Sequence, residues 1–165
     1  MFDTFLQLDG VPGEATDDKH KDWIELLSYD HSMMQPVSST RSSAGGAATG
    51  RTQHGDFSIT KFVDKASPKL YEAVSKGNHF SKAKIEVCRA GGGQVKFLEI
   101  TLEEVMISNV SLSSHGQSKK GDELPVENVH LNYGKIEWVY TQQKRKDGSG
   151  GGNVTAKYDL TAGKA

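Results

Sequence analysis

The chain has one cysteine, Cys88, in 165 residues. No intramolecular disulfide can form, so the fold does not depend on an oxidising compartment. It has no surplus of charge, with 20 basic against 21 acidic side chains. That balance removes any electrostatic drive toward nucleic acid or an anionic membrane, and copies of the chain do not repel one another strongly. No apolar run approaches the ~18 residues a spanning helix needs, so membrane insertion is not expected. The start, Met1-Phe2-Asp3-Thr4-Phe5, lacks the basic residues of a secretory signal, and Asp3 and Asp9 interrupt its apolar character. The expectation is synthesis in the cytoplasm, with any export following a route that reads no cleavable signal.

Familiar catalytic patterns are missing as well. The six histidines, His20, His31, His54, His79, His115 and His130, form no closely spaced pair, and Cys88 adds no thiolate cluster. Loop and surface histidines, with no metal or other cofactor, are the expectation. Cys88 lies in a strand-like pattern and reads as a small half-buried residue rather than a nucleophile. Gly91-Gly92-Gly93 and Gly150-Gly151-Gly152 are not followed by the Lys-Ser/Thr and helix of a phosphate loop. They read as hairpin loops. No GxSxG elbow is present. Asp17-Asp18, Glu103-Glu104 and Asp122-Glu123 read as solvated pairs, because neighbours in a strand face opposite ways. Lys144-Arg145-Lys146 is too short, in a chain too neutral, for a nucleic-acid patch. Catalytic residues are not expected, nor is an enzyme.

What is present is period-two alternation. Ala83, Ile85 and Val87 alternate with polar neighbours, as do Leu98, Ile100 and Leu102, then Val129, Leu131 and Tyr133, and finally Val154, Ala156, Tyr158 and Leu160. Each run predicts a half-buried strand with one face on a core. The apolar parity switches at Glu103-Glu104 and again at Gly134. A one-residue offset exchanges a strand's faces, so both places predict bulges in long bent strands; a tight hairpin at Tyr133-Gly134 is the competing reading. Bent strands suit a barrel or a sharply folded sandwich.

One helix is predicted, with Ser67 as N-cap, Pro68 in the first position, Leu70, Tyr71 and Val74 on one face, and Gly77 as the stop. At about ten residues it needs docking to persist. Pro36–Gly55 is a polar stretch of about twenty residues, long enough to suggest a function of its own. Ser113–Pro125 and Lys146–Asn153 are further polar loops. No repeat or boundary divides the chain, so 1–165 is expected to be a single domain.

Several stretches, in order, resemble the Hcp (haemolysin-coregulated protein) family of the bacterial type VI secretion system. They are FLQLDGVPGEATD (Phe5–Asp17), HKDWIELLS (His20–Ser28), FVDKASPKL (Phe62–Leu70), LEITLEEVMISNVS (Leu98–Ser111), LNYGKIEWVYTQQ (Leu131–Gln143) and GGNV (Gly151–Val154). The resemblance implies a mainly β fold, a compact β-barrel of two sheets with one short α-helix beside it. It implies a homohexameric ring, rings stacked into a tube within a contractile sheath beneath a VgrG spike, and a lumen that holds small effector proteins. The product is expected outside the producing cell or in target cells. Where the family commonly has an aromatic-Gly turn, this chain reads Tyr29-Asp30-His31-Ser32-Met33-Met34-Gln35. Asp30, His31 and Ser32 are therefore candidate lumen or cargo contacts. Ser38, Thr40, Arg41, Arg51 and Thr52, in the long polar stretch, are candidate ring-stacking residues. The residues taken alone leave two alternatives open: a monomeric β-barrel module binding a glycan or small ligand, and a small β-rich hydrolase.

Overall fold

The structure is a computed structural model that describes residues 2–37, 50–90, 94–114, 124–143 and 150–165. Ser38, Thr40, Arg41, the first glycine triplet and most of the two later polar loops lie outside the described residues. The order of elements is β1 (Phe2–Leu8), β2 (Ile24–Leu26), β3 (Ser28–Asp30), β4 (Met33–Met34), β5 (Gln53–His54), β6 (Phe57–Phe62), α1 (Ser67–Lys76), β7 (His79–Arg89), β8 (Lys96–Ser113), β9 (Val126–Asn132), β10 (Lys135–Gln143) and β11 (Gly150–Asp159).

The mainly β fold with one short helix is as the sequence predicts. Nine strands form one antiparallel sheet and β4–β5 a separate ribbon. Pairing runs from β2 through β1, β7, β8, β9 and β6 to β3. The two ends of that path are separated in the chain by Leu27 alone, whose N–H donates to the Thr60 carbonyl at 2.8 Å. One bent segment thus pairs with β1 by its first half and β6 by its second, bringing the two ends of the sheet together. Inward positions are apolar at every second residue: Leu6 on β1, Ile85 on β7, Leu102 on β8, Leu131 on β9 and Ile59 on β6 are all buried. Each such side chain contributes about 1.5–3 kcal/mol by leaving water.

The two predicted parity switches are opposite sides of a single kink. β8 pairs with β10 over Leu98–Glu103 and with β9 over Met106–Ser113. β9 and β10 run on in the same direction, joined by Tyr133-Gly134, so no tight hairpin forms there. Glu104 adopts φ 55°, a left-handed conformation uncommon outside glycine. Gly134 lies against it, and its N–H donates to the Glu103 carbonyl at 3.0 Å. Because both strands exchange faces at the same level, pairing on the two sides keeps one register. The local irregularity in register falls a few residues on, between Ile107 and Asn109.

Helix α1 starts one residue earlier than predicted. Ala66 is the N-cap and makes no side-chain capping bond; Pro68 still falls within the first turn, and Gly77 ends the helix at φ 67°. Ser67 is not free to cap because its hydroxyl serves a buried network. Lys61 and Glu127 are cross-strand partners on β6 and β9, and both are fully buried. The Lys61 ammonium donates to Glu127 Oε1 (2.6 Å), Asp64 Oδ1 (2.8 Å) and the Phe62 carbonyl (2.8 Å). Ser67 Oγ donates to Glu127 Oε1 at 2.7 Å, and Tyr71 to Oε2 at 2.5 Å. Burial alone would push the Glu127 carboxyl up, but the bonds from Lys61, Tyr71 and Ser67 hold it below the usual glutamate range. Leu70 and Ala73 complete the docked face of the helix.

One expected core face does not exist. On β11, Val154 and Ala156 are exposed, because this strand lies beyond the barrel wall and, among the described strands, pairs only with β10. Tyr158 and Leu160, nearer its end, do pack against the core.

Two outcomes follow for urea denaturation. Lys61→Met should cost about 3–5 kcal/mol, because it strands a buried carboxylate, and adding Glu127→Leu should recover part of the loss. Gly13→Ala should destabilise more than Gly134→Ala. A Cβ at 13 would fall on the Trp23 carbonyl and within 2.6 Å of the Ile24 Cα, both fixed backbone, whereas at 134 the nearest atoms belong to the movable Glu104 side chain.

Candidate functional site

Apart from the Lys61–Glu127 network, two places among the described residues concentrate polar groups: the ribbon that follows β3, and the segment between β1 and β2. The ribbon is the base of the long polar stretch. Met33 and Met34 pair with His54 and Gln53, the Gly50 N–H donates to the Pro36 carbonyl, and the Gly55 N–H donates to the Ser32 carbonyl. It is held to the barrel from below by Tyr133, the residue at the strand kink. His31 Nε2 lies 2.6 Å and His54 Nδ1 3.1 Å from the Tyr133 hydroxyl. The His31 ring also packs on Phe57 at 5.4 Å between centroids, and the His54 ring stacks on Tyr158 at 5.2 Å.

One hydroxyl can serve both rings. It donates to one imidazole and accepts from the N–H of the other, so two neutral histidines satisfy it. Burial lowers the tendency of both rings to protonate, and for His31 the nearby His54 adds to the effect while Asp30 opposes it. Burial, with Asp56 nearby, raises the Tyr133 phenol far above its usual range. The arrangement is a neutral aromatic clamp between two chain segments.

The candidate residues divide accordingly. Asp30 and Ser32 are exposed, whereas His31 between them is turned onto Tyr133 and Phe57. Arg51 donates from Nη2 to the Leu160 carbonyl at 3.2 Å and ties the ribbon to the barrel, whereas Thr52 Oγ1 donates to the Met34 carbonyl at 3.4 Å and closes the ribbon on itself. His54 and Tyr133 were not singled out by the sequence. They are 79 residues apart, and no local spacing marks that meeting.

The second place corrects the reading of the histidines. His20 is buried rather than a surface residue. Its ring stacks on Phe5 at 4.2 Å and meets the edge of Trp23 at 4.9 Å. Cys88 is also fully buried, with Sγ 4.0 Å from His20 Nε2. This is not an activated nucleophile. Burial, with Glu86 and Asp17 nearby, pushes the thiol up to about 11, where little thiolate forms near neutrality.

Comparison with known proteins places this fold in a secretion system. Residues 5–140 match the family model described as "Type VI secretion system effector, Hcp". A Pseudomonas aeruginosa protein named hcp1 is 37% identical over 159 residues, covering 96% of this chain and 94% of the relative. A second protein of that organism, named "Major exported protein", is 30% identical over 132 residues, covering 78% of this chain and 74% of the relative. A solved structure of a type six secretion system protein superposes with a TM-score of 0.90 at 31% identity, over 99% of both chains. Hcp1 from Salmonella typhimurium does so at 0.79 and 29% identity, over 99% of this chain and 97% of the other. The fold and the comparisons define a component of the type VI secretion system rather than an enzyme. The chain belongs to the Hcp family.

The clamp makes stability depend on pH in a definite direction. Both histidines protonate less readily in the folded protein than at the ordinary value of 6.5. The unfolded chain therefore binds more protons, and stability is complete above about 6.5 and falls as pH drops toward the depressed folded values. The carboxylates Asp17, Glu86 and Glu127, all held below their usual range, add their own loss only below about 4.5. Thermal melts from pH 7.5 to 5 should show the first step, and the double variant His31→Phe, His54→Gln should flatten it.

Proposed function

We propose that this protein is the tube subunit of its secretion system, with residues 1–165 acting as a single domain. Six copies close into a ring, rings stack, and contraction of a surrounding sheath expels the tube behind a VgrG spike, with small effector proteins carried in the lumen. Membership of the Hcp family is the observation that carries this reading.

The surface supports it. β11 pairs only with β10 among the described strands, and its side chains from 151 to 157 are exposed. Such an edge, left unpaired, is a template for association. Large apolar side chains also stand in water, Leu27, Phe62 and Leu112 at 50%, 42% and 58% exposure. A head-to-tail contact that closes by rotation would cover such surface and end the assembly at a ring. Asp30 and Ser32 are proposed to face the lumen and its cargo, with His31 between them fastening the segment through Tyr133. Ser38, Thr40, Arg41, Arg51 and Thr52 are proposed to contact the next ring. Within this reading, the bond from Arg51 to the Leu160 carbonyl, and that from Thr52 across the ribbon to Met34, fix the root from which a stacking loop reaches out.

Light scattering on the purified protein tests the ring: a particle six times 18.0 kDa is expected. A strict monomer at high concentration would favour the ligand-binding module. Deleting Ser38–Thr52 should leave the circular dichroism of the barrel unchanged while weakening stacking and secretion; undiminished secretion would remove the loop from the mechanism.

A further inference from the structure

The segment between β1 and β2 lies across the outer face of the sheet. Phe5 and Cys88 point outward from β1 and β7, opposite to Leu6 and Val87, yet both are buried. His20 covers them. Its ring is aligned from one side by Asp17, whose Oδ1 accepts from Nδ1 at 2.5 Å and from the His20 N–H at 3.0 Å. The other nitrogen, Nε2, faces Glu86 Oε2 at 3.0 Å and Cys88 Sγ at 4.0 Å. The second Glu86 oxygen is held separately, accepting from the Lys96 ammonium at 3.1 Å. One nitrogen, one carboxylate oxygen and one sulfur thus converge, all within 4.8 Å of one another.

We propose that His20, Glu86 and Cys88 form a zinc-binding site, with Asp17 as the residue that positions His20. The donor set is that of a borderline-soft divalent ion, which accepts imidazole, carboxylate and thiolate together. Ligands at about 2.0–2.3 Å from a tetrahedral zinc are separated by about 3.3–3.8 Å, so the three atoms need to move by less than about 1 Å. Binding breaks the S–H bond of Cys88, releases its proton to solvent and forms a sulfur–zinc bond. The thiolate and the Glu86 carboxylate then balance the two positive charges of the ion, which suits a buried site. Carboxylate-to-imidazole bonds such as that of Asp17 fix the tautomer that leaves Nε2 free to ligate. Cys88 and His20 are almost wholly enclosed, but the Glu86 side chain, on the same side of the ring as Cys88, retains 13% exposure, which gives the ion its way in. The ion would fasten the segment from Asp17 to Trp23 onto β7, adding to a link now made of hydrogen bonds and stacked rings.

The test uses the full chain, stripped with chelator. Titration with zinc should show one ion per chain and a rise in melting temperature that EDTA reverses. Cobalt(II) should give a thiolate-to-cobalt band in the near ultraviolet, which can come only from Cys88 because no other cysteine exists. Cys88→Ser should lose that band and weaken zinc binding by at least about tenfold, and Asp17→Asn should weaken binding by about tenfold while keeping the band. No cobalt–thiolate band in the unaltered protein overturns the site, whether or not the variants fold. Zinc uptake unchanged by Cys88→Ser also overturns it, and would move the ion to other histidines.

Discussion

Lys61 and Glu127 occupy positions where the strand pattern demands apolar side chains. Phe57, Ile59 and Lys61 point inward along β6, and Glu127, Val129 and Leu131 do so along β9. Two charges out of water cost several kcal/mol each unless every hydrogen-bonding capacity is met. Here they are met, by Asp64, Ser67, Tyr71 and the Phe62 carbonyl. All of them but the Phe62 carbonyl lie on the turn before α1 and on the helix itself. The pair can therefore be buried only when the helix is docked, and a helix of ten residues persists only when docked. Barrel end and helix form together or not at all. An apolar pair at these positions would hold the strands equally well but would leave the helix without a defined seat, which is what polar specificity adds here.

A second constraint acts at the opposite end of the same strands. The kink at Glu104 and Gly134 lets one long antiparallel pair serve two layers. Below it, β8 and β10 extend to β11; above it, β8 and β9 form the barrel wall. The kink costs one residue in a left-handed conformation, and Gly134 gives room for it. Its consequence is the placement of Tyr133. A residue at the bend, facing the core side, reaches the ribbon with its hydroxyl while its ring remains buried. Strand geometry thus decides where the base of the long polar stretch is fastened.

Much of this was legible in the residues, and the limits have a physical cause. Period-two runs located β7, β8, β9 and β11, since alternation is local. The parity switches located the kink for the same reason. Pro68 and Gly77 bracketed α1, although Ser67 was misplaced as the cap because its hydroxyl has a better partner 60 residues away. The Lys61–Glu127 pair, the burial of His20 and the meeting of His31, His54 and Tyr133 all depend on contacts between distant segments, and spacing carries no trace of those. β11 misled in the other direction. Val154 and Ala156 alternate as a core strand does, but alternation reports two unlike faces and not which of them is covered. The family was legible only from several ordinary motifs in the right order.

The sheet at β1 and β7 is covered on both faces, by the barrel core on one side and by Phe5, His20 and Cys88 on the other. β11 is covered on neither side at its exposed residues and is unpaired along one edge among the described strands. Stability and availability are thus divided within one sheet. The doubly covered strands stand next to the closure through Leu27, where opening would unravel the barrel. The uncovered strand stands beyond the kink, where loss of pairing would leave the barrel intact. In the proposed ring, this division would let one surface be offered to a neighbour without the fold depending on it.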